Sequence, residues 1–143
     1  QVNFIQDNES KSTSKGVLRG LHYQLPPYTQ NKLVRVIKGE VLDVAVDIRR
    51  DSPTFRKYVS VVLSDENKKQ LFIPGGFAHG FIVLSEGATF AYKVDAYYSA
   101  EHEEGIAYND KEVSIDWRFL EKEIILSKAD QNYSGLSDNK KLF

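Results

Sequence analysis

Residues 39–48 read GEVLDVAVDI, and from Glu40 onward they alternate. Leu42, Val44, Val46 and Ile48 share one face of an extended chain, while Val41, Asp43, Ala45 and Asp47 share the other. Gly39 allows a tight reversal into this segment from Lys32–Lys38, and Asp51, Ser52 and Pro53 end it. The same pattern runs outward in both directions. Upstream lies Val17–Gln24, closed by a turn at Pro26 and Pro27. Downstream come Tyr58–Leu63, Gln70–Ile73, Phe77–Leu84 and Ala88–Tyr98. Asp65 to Asn67, Pro74 to Gly76, and Glu86 with Gly87 punctuate them. Many short strands at close spacing predict an all-β sandwich or barrel rather than a βαβ fold. No repeat with a period of roughly 20–50 residues is present, and no Gly-rich phosphate loop precedes a helix. The polar tail from Trp117 is expected to mix short helix with loop, and residues 1–143 to form one domain.

The bulk composition narrows the function classes. The chain has 143 residues, 41% hydrophobic and 27% charged, an ordinary globular balance. A net charge of -1 and a pI near 6.4 argue against a broad nucleic-acid footprint. An anionic ligand would be held by a few placed cations. No apolar run approaches ~18 residues, so no membrane-spanning helix or signal-like start is expected, and the expected location is cytoplasmic. There is no cysteine, which removes disulfides and thiolate metal sites. The chain also lacks Met and opens with Gln1 inside a strand-like stretch marked by Val2, Phe4 and Ile5. It is therefore expected to be a trimmed or fragmentary piece.

Three histidines are available for chemistry. His22 lies in Val17–Gln24, where period two groups it with Leu18, Gly20 and Gln24, and Gly20 suggests a close approach by backbone or ligand. His79 sits in the apolar stretch Phe77–Leu84, where a hydrogen-bonded core role and a site role are equally open. His102, among Glu101, Glu103 and Glu104, reads as solvated surface. Lys32 opens a segment with Val34 and Val36 on its own face, so it either snorkels at a rim or points inward as a fixed charge. Along Ala88–Tyr98 the charged parity of Lys93 and Asp95 should face water, which turns Tyr92 and Tyr98 inward. A buried tyrosine hydroxyl needs a partner. An imidazole, a lysine and a tyrosine on inner faces suit proton removal beside a carbonyl. An imidazole with an ordinary pKa of about 6.5 is a competent base near neutrality. An ammonium steadies the enolate, and a phenol can return the proton from the other face.

At this point the residues match a known family. Gln6 to Asn8, Gly16–Gln24, Asn31–Val36, Gly39–Asp47, Ser52–Phe55, Ile73–Leu84, Tyr92 with Lys93, Tyr98, Gly105 with Ile106, Asn109 with Asp110, and Leu126–Asp130 follow its pattern in order. The chain resembles the dTDP-4-dehydrorhamnose 3,5-epimerases, isomerases of dTDP-L-rhamnose biosynthesis with a cupin-like jelly-roll barrel. The resemblance implies a metal-free, cofactor-free inversion at C3 and C5 of dTDP-4-dehydro-6-deoxy-D-glucose. It implies His22 as general base, Asp130 as the carboxylate that orients it, Lys32 facing the C4 oxygen and Tyr92 as proton donor. It further implies substrate contacts from Gln6, Asp7, Asn8, Arg19, His79, Tyr98 and Glu103. Among these, Arg19 would meet the diphosphate and Tyr98 would stack on the thymine. A guanidinium fork suits two phosphate oxygens at once. The resemblance also implies a homodimer.

Three departures carry consequences. The family has a lysine directly before the aspartate, whereas here Ala129 precedes Asp130 and Lys128 lies one residue earlier. Arg19 and His22 have opposite strand parity, so they share a site only near a bulge or at the barrel mouth. The family's first few dozen residues, with early strands and contacts across a dimer, have no counterpart in this chain.

Other readings belong to the same scaffold. Pro74–His79 fits the second metal signature of metal-binding cupins. His22, Tyr23 and Gln24 replace the histidine pair of the first signature, and no acidic third ligand is evident, a poor first-row metal site. A non-catalytic binding cupin, a single epimerase and a 3,4-ketoisomerase also remain open at this level.

Overall fold

The computed structural model describes residues 1–143 and contains nine strands. These are β1 (Gln6–Ser12), β2 (Leu18–Gln24), β3 (Lys32–Lys38), β4 (Glu40–Asp47), β5 (Tyr58–Ser64), β6 (Gln70–Ile73), β7 (Phe77–Val83), β8 (Ala88–Val94) and β9 (Glu103–Gly105). They form two antiparallel sheets, one ordered β1-β8-β3-β6 and the other β5-β4-β7-β2-β9. This is the expected all-β, cupin-like jelly roll. The tail carries a 3-10 turn at Glu121–Glu123 and one helical turn, α1 (Lys128–Gln131), as its polar composition suggested.

The alternation in β4 separates two apolar clusters. Val41 and Ala45 join Val34, Val36, Leu63, Ile73, Phe81, Val83 and Phe90 between the sheets. Leu42, Val44, Val46 and Ile48 face the other way, where Ile106, Val113, Trp117 and Leu136 from the later chain cover them. Burying each such Leu or Ile contributes about 2 kcal/mol. The five-stranded sheet is thus covered on both faces, and Asp43 and His79 on its inner face are shut away from bulk water.

Four features differ from the sequence reading. Val2, Phe4 and Ile5 precede the first strand, which begins at Gln6. That strand, QDNESKS, shows no apolar alternation, and its full-length pairing with β8 is what makes it a strand. The segment expected to run to Tyr98 leaves the sheet after Val94. The three-residue β9 in a charged stretch exists because it pairs with residues 22–24 of β2.

The fourth difference lies inside β2. Arg19 pairs with Phe81, yet His22 pairs with His79, a shift of one residue that marks a bulge. Period two therefore breaks there. Leu18, Leu21 and Tyr23 join the outer cluster, while Arg19 and His22 line the same inner cavity, a grouping the uninterrupted alternation did not predict. Gly20, with φ +130°, makes the crossing possible: a Cβ there would sit 2.7 Å from the Cα of Gly80. The expected close approach at Gly20 is thus the backbone of β7.

Candidate active site

His22 and Asp130 meet across more than one hundred residues of chain. Ser127 caps α1 and accepts the backbone N–H of Asp130. The turn aims the Asp130 carboxylate at β2, where Oδ2 accepts the Gly20 N–H at 3.3 Å and Oδ1 lies 2.6 Å from His22 Nε2. Asp130 is 4% exposed and His22 31%. Burial by itself would raise the Asp130 carboxyl, but the hydrogen bond and charge of His22, with the Gly20 N–H and Ser127, outweigh it and hold the group below its ordinary value. An ionised carboxylate only accepts, so Nε2 carries the proton and Nδ1 keeps the free pair. The edge of the Tyr133 ring closes on the imidazole at 5.7 Å between centroids.

A second pair sits directly behind the first. His79 Nε2 lies 2.7 Å from Asp43 Oδ1, both deeply buried, and Asp43 Oδ2 has no partner. Burial pushes the Asp43 carboxyl up, against the pull of His79 and Lys32. Burial likewise pushes His79 down, against Asp43. Lys32 points inward rather than snorkelling. Burial lowers its pKa from 10.5 to about 8, partly offset by Asp43 and Glu103. His79 is thus both a satisfied, bonded histidine and a wall of the cavity. Asp43 was not singled out from the sequence. The signal was present: a carboxylate flanked by Val41 and Ala45 on one face of the strand.

A cavity of ≈ 370 Å³ opens between the sheets and is lined by Gln6, Asn8, His22, Lys32, Tyr92, Tyr98 and Glu103, among others. A smaller space of ≈ 220 Å³ shares His22, Lys32 and Tyr92 and adds Arg19 and His79. Tyr92 is half-buried, and burial, then Glu103, raises its phenol while Arg19 opposes. Gln6 Oε1 is buried without a partner.

Four expectations need correction. Asp7 does not reach the cavity: alternation along β1 turns Gln6 and Asn8 inward and Asp7 outward, where it accepts from Lys93 at 2.7 Å. Tyr98 lies beyond the end of β8 and is 61% exposed, so parity does not bury it. It reaches the cavity mouth from a loop, donating to Glu103 Oε2 at 2.6 Å. Asp95 is not free in water but accepts from the backbone and side chain of Asn31 at 2.7 Å each. His102 is partly covered, with Nδ1 2.8 Å from Ser99 Oγ and its ring near Tyr28. Lys128 is exposed on α1 and stands outside the cavity lining. No three His, Asp or Glu side chains converge as metal ligands, and no helix is long and apolar enough to cross a membrane.

Comparison with known proteins gives a consistent result. A family model described as dTDP-4-dehydrorhamnose 3,5-epimerase matches residues 1–138. The dTDP-4-dehydrorhamnose 3,5-epimerase of Shigella flexneri is 64% identical over 117 residues, which are 82% of this chain and 64% of that protein. The chain thus spans a little under two thirds of that relative's length. The crystal structure of the Elizabethkingia anophelis NUHP1 enzyme of the same name superposes with a TM-score of 0.93 at 52% identity, covering 97% of this chain and 75% of that one. A Legionella pneumophila Philadelphia 1 dTDP-6-deoxy-D-glucose-3,5-epimerase, solved with dTDP-4-keto-L-rhamnose, gives 0.91 at 54% identity, covering 96% and 71%.

Proposed function

This chain belongs to the dTDP-4-dehydrorhamnose 3,5-epimerase family, and on that premise we propose that it inverts C3 and C5 of dTDP-4-dehydro-6-deoxy-D-glucose. One observation carries the reading: the carboxylate-bound imidazole of His22 opens into the same cavity as the Lys32 amine and the Tyr92 phenol. Both carbons flank the C4 ketone, so loss of either proton gives an enolate whose charge rests on the C4 oxygen. His22 takes the proton on Nδ1, and Asp130 stabilises the imidazolium that results. Lys32, with a pKa of about 8, is mostly protonated at neutral pH and steadies the oxyanion. The raised Tyr92 phenol keeps its proton until the carbanion presents itself, then delivers it to C5 from the opposite face.

The remaining lining groups suit the nucleotide. Arg19 is exposed at the cavity edge, suited to the diphosphate, and Tyr98 offers a ring face to the thymine. Gln6, Asn8, His79 and Glu103 offer polar contacts to the sugar. A homodimer belongs to the same reading, and sedimentation tests it. The decisive assay is NMR in deuterated water with this substrate. Deuterium at C3 and C5 supports double inversion; at one carbon it selects a single epimerase; at neither it removes the enzyme.

A further inference from the structure

We infer that Gln24 is a positioning residue whose buried side-chain amide holds Tyr98 at the cavity mouth. Tyr98 is 61% exposed, so packing does not fix it, and β8 has already ended at Val94, so no strand pairs with its backbone. Gln24, 5% exposed on β2, fills that gap. Its Nε2 donates to the carbonyls of Tyr28 at 2.7 Å and Tyr97 at 3.2 Å, and its Oε1 accepts the Ser99 N–H at 2.8 Å. The last two bonds bracket Tyr98 from either side, as a neighbouring strand would. The amide has one workable orientation, because flipping it would face its oxygen with two carbonyls. The arrangement closes on itself: Gln24 pairs with Glu103 in the β2–β9 ladder, and Glu103 accepts the Tyr98 hydroxyl at 2.6 Å. Gln24 also lines the cavity, but both donors of its amide are consumed within the protein, so its hold on Tyr98 is separate from any contact it makes with a ligand.

This rests on the proposed function only in taking Tyr98 as a wall for the nucleotide. The test is a double-mutant cycle read by calorimetric binding of thymidine diphosphate. Tyr98→Ala and Gln24→Leu should each weaken binding about tenfold, the scale of one lost base–aromatic stack. The double variant should bind within about twofold of Tyr98→Ala alone. Losses that multiply to about a hundredfold would overturn the inference, since a generally destabilising change at Gln24 would act in either background. If Gln24→Leu does not fold, Gln24→Glu carries the same cycle, keeping the volume and the acceptor while removing both donors. Amide hydrogen exchange separates this claim from the functional one. Ser99 should lose protection in Gln24→Leu, which removes its acceptor, and keep it in Tyr98→Ala, whether or not the nucleotide binds. Unchanged Ser99 protection in Gln24→Leu sinks the inference, whereas a wild-type chain that ignores thymidine diphosphate counts against the proposed function.

Discussion

Replacing Lys32 with methionine should make the protein more stable and less active at once. The fall of the Lys32 pKa from 10.5 to about 8 means that the folded state resists the ammonium. Holding the charge costs about 3 kcal/mol at pH 6.5, an order-of-magnitude figure that water entering the cavity reduces. The sign follows from proton counting: between these two values the unfolded chain binds more protons, so the wild type gains stability as pH rises. Lys32→Met removes the cost with a side chain of similar length. Its advantage in urea denaturation should be about 1–3 kcal/mol at pH 6.5, and at pH 9.5 no more than about 1 kcal/mol, because folded Lys32 is by then neutral. Deuterium exchange into substrate should fall about 10²–10³-fold, the usual loss when a transition-state charge partner is removed. A variant less stable than wild type at pH 6.5, or a stability gap that does not shrink with pH, would refute the reasoning.

Asp130→Asn should lower substrate exchange about 10³-fold, because the imidazole loses the acceptor that selects its tautomer. The Asp130 carboxyl is held below its ordinary value, so its stabilisation is present above about pH 4 and lost as pH falls further. Acid titration of the variant should lack that component. Tyr92→Phe should slow inversion at C5, followed by NMR, more than it slows base-driven exchange; equal loss of both would remove Tyr92 as donor. Asp7→Ala should leave the exchange rate within about twofold and stability within about 0.5 kcal/mol, since Asp7 meets only Lys93 on the outer face.

The alternation of residues 39–48 by itself determined a strand with two distinct faces, and the short spacing of similar segments determined an all-β architecture. Side chains in a strand alternate whatever lies around them, so local pattern suffices for this much. The polar β1 and the charged β9 carried no such signal, because pairing with β8 and β2 makes them strands. Parity placed Tyr92 correctly within β8 but misjudged Tyr98, where the ladder had ended and side-chain amides took its place. The order of residues also showed that Arg19 and His22 required a bulge to share a site, and the register of β2 against β7 supplied it. Only tertiary structure could exclude Asp7, bury Asp43 behind His79 and press Asp130 against His22. A pKa or a base depends on what stands within a few ångströms, and folding sets those distances between residues the chain keeps far apart.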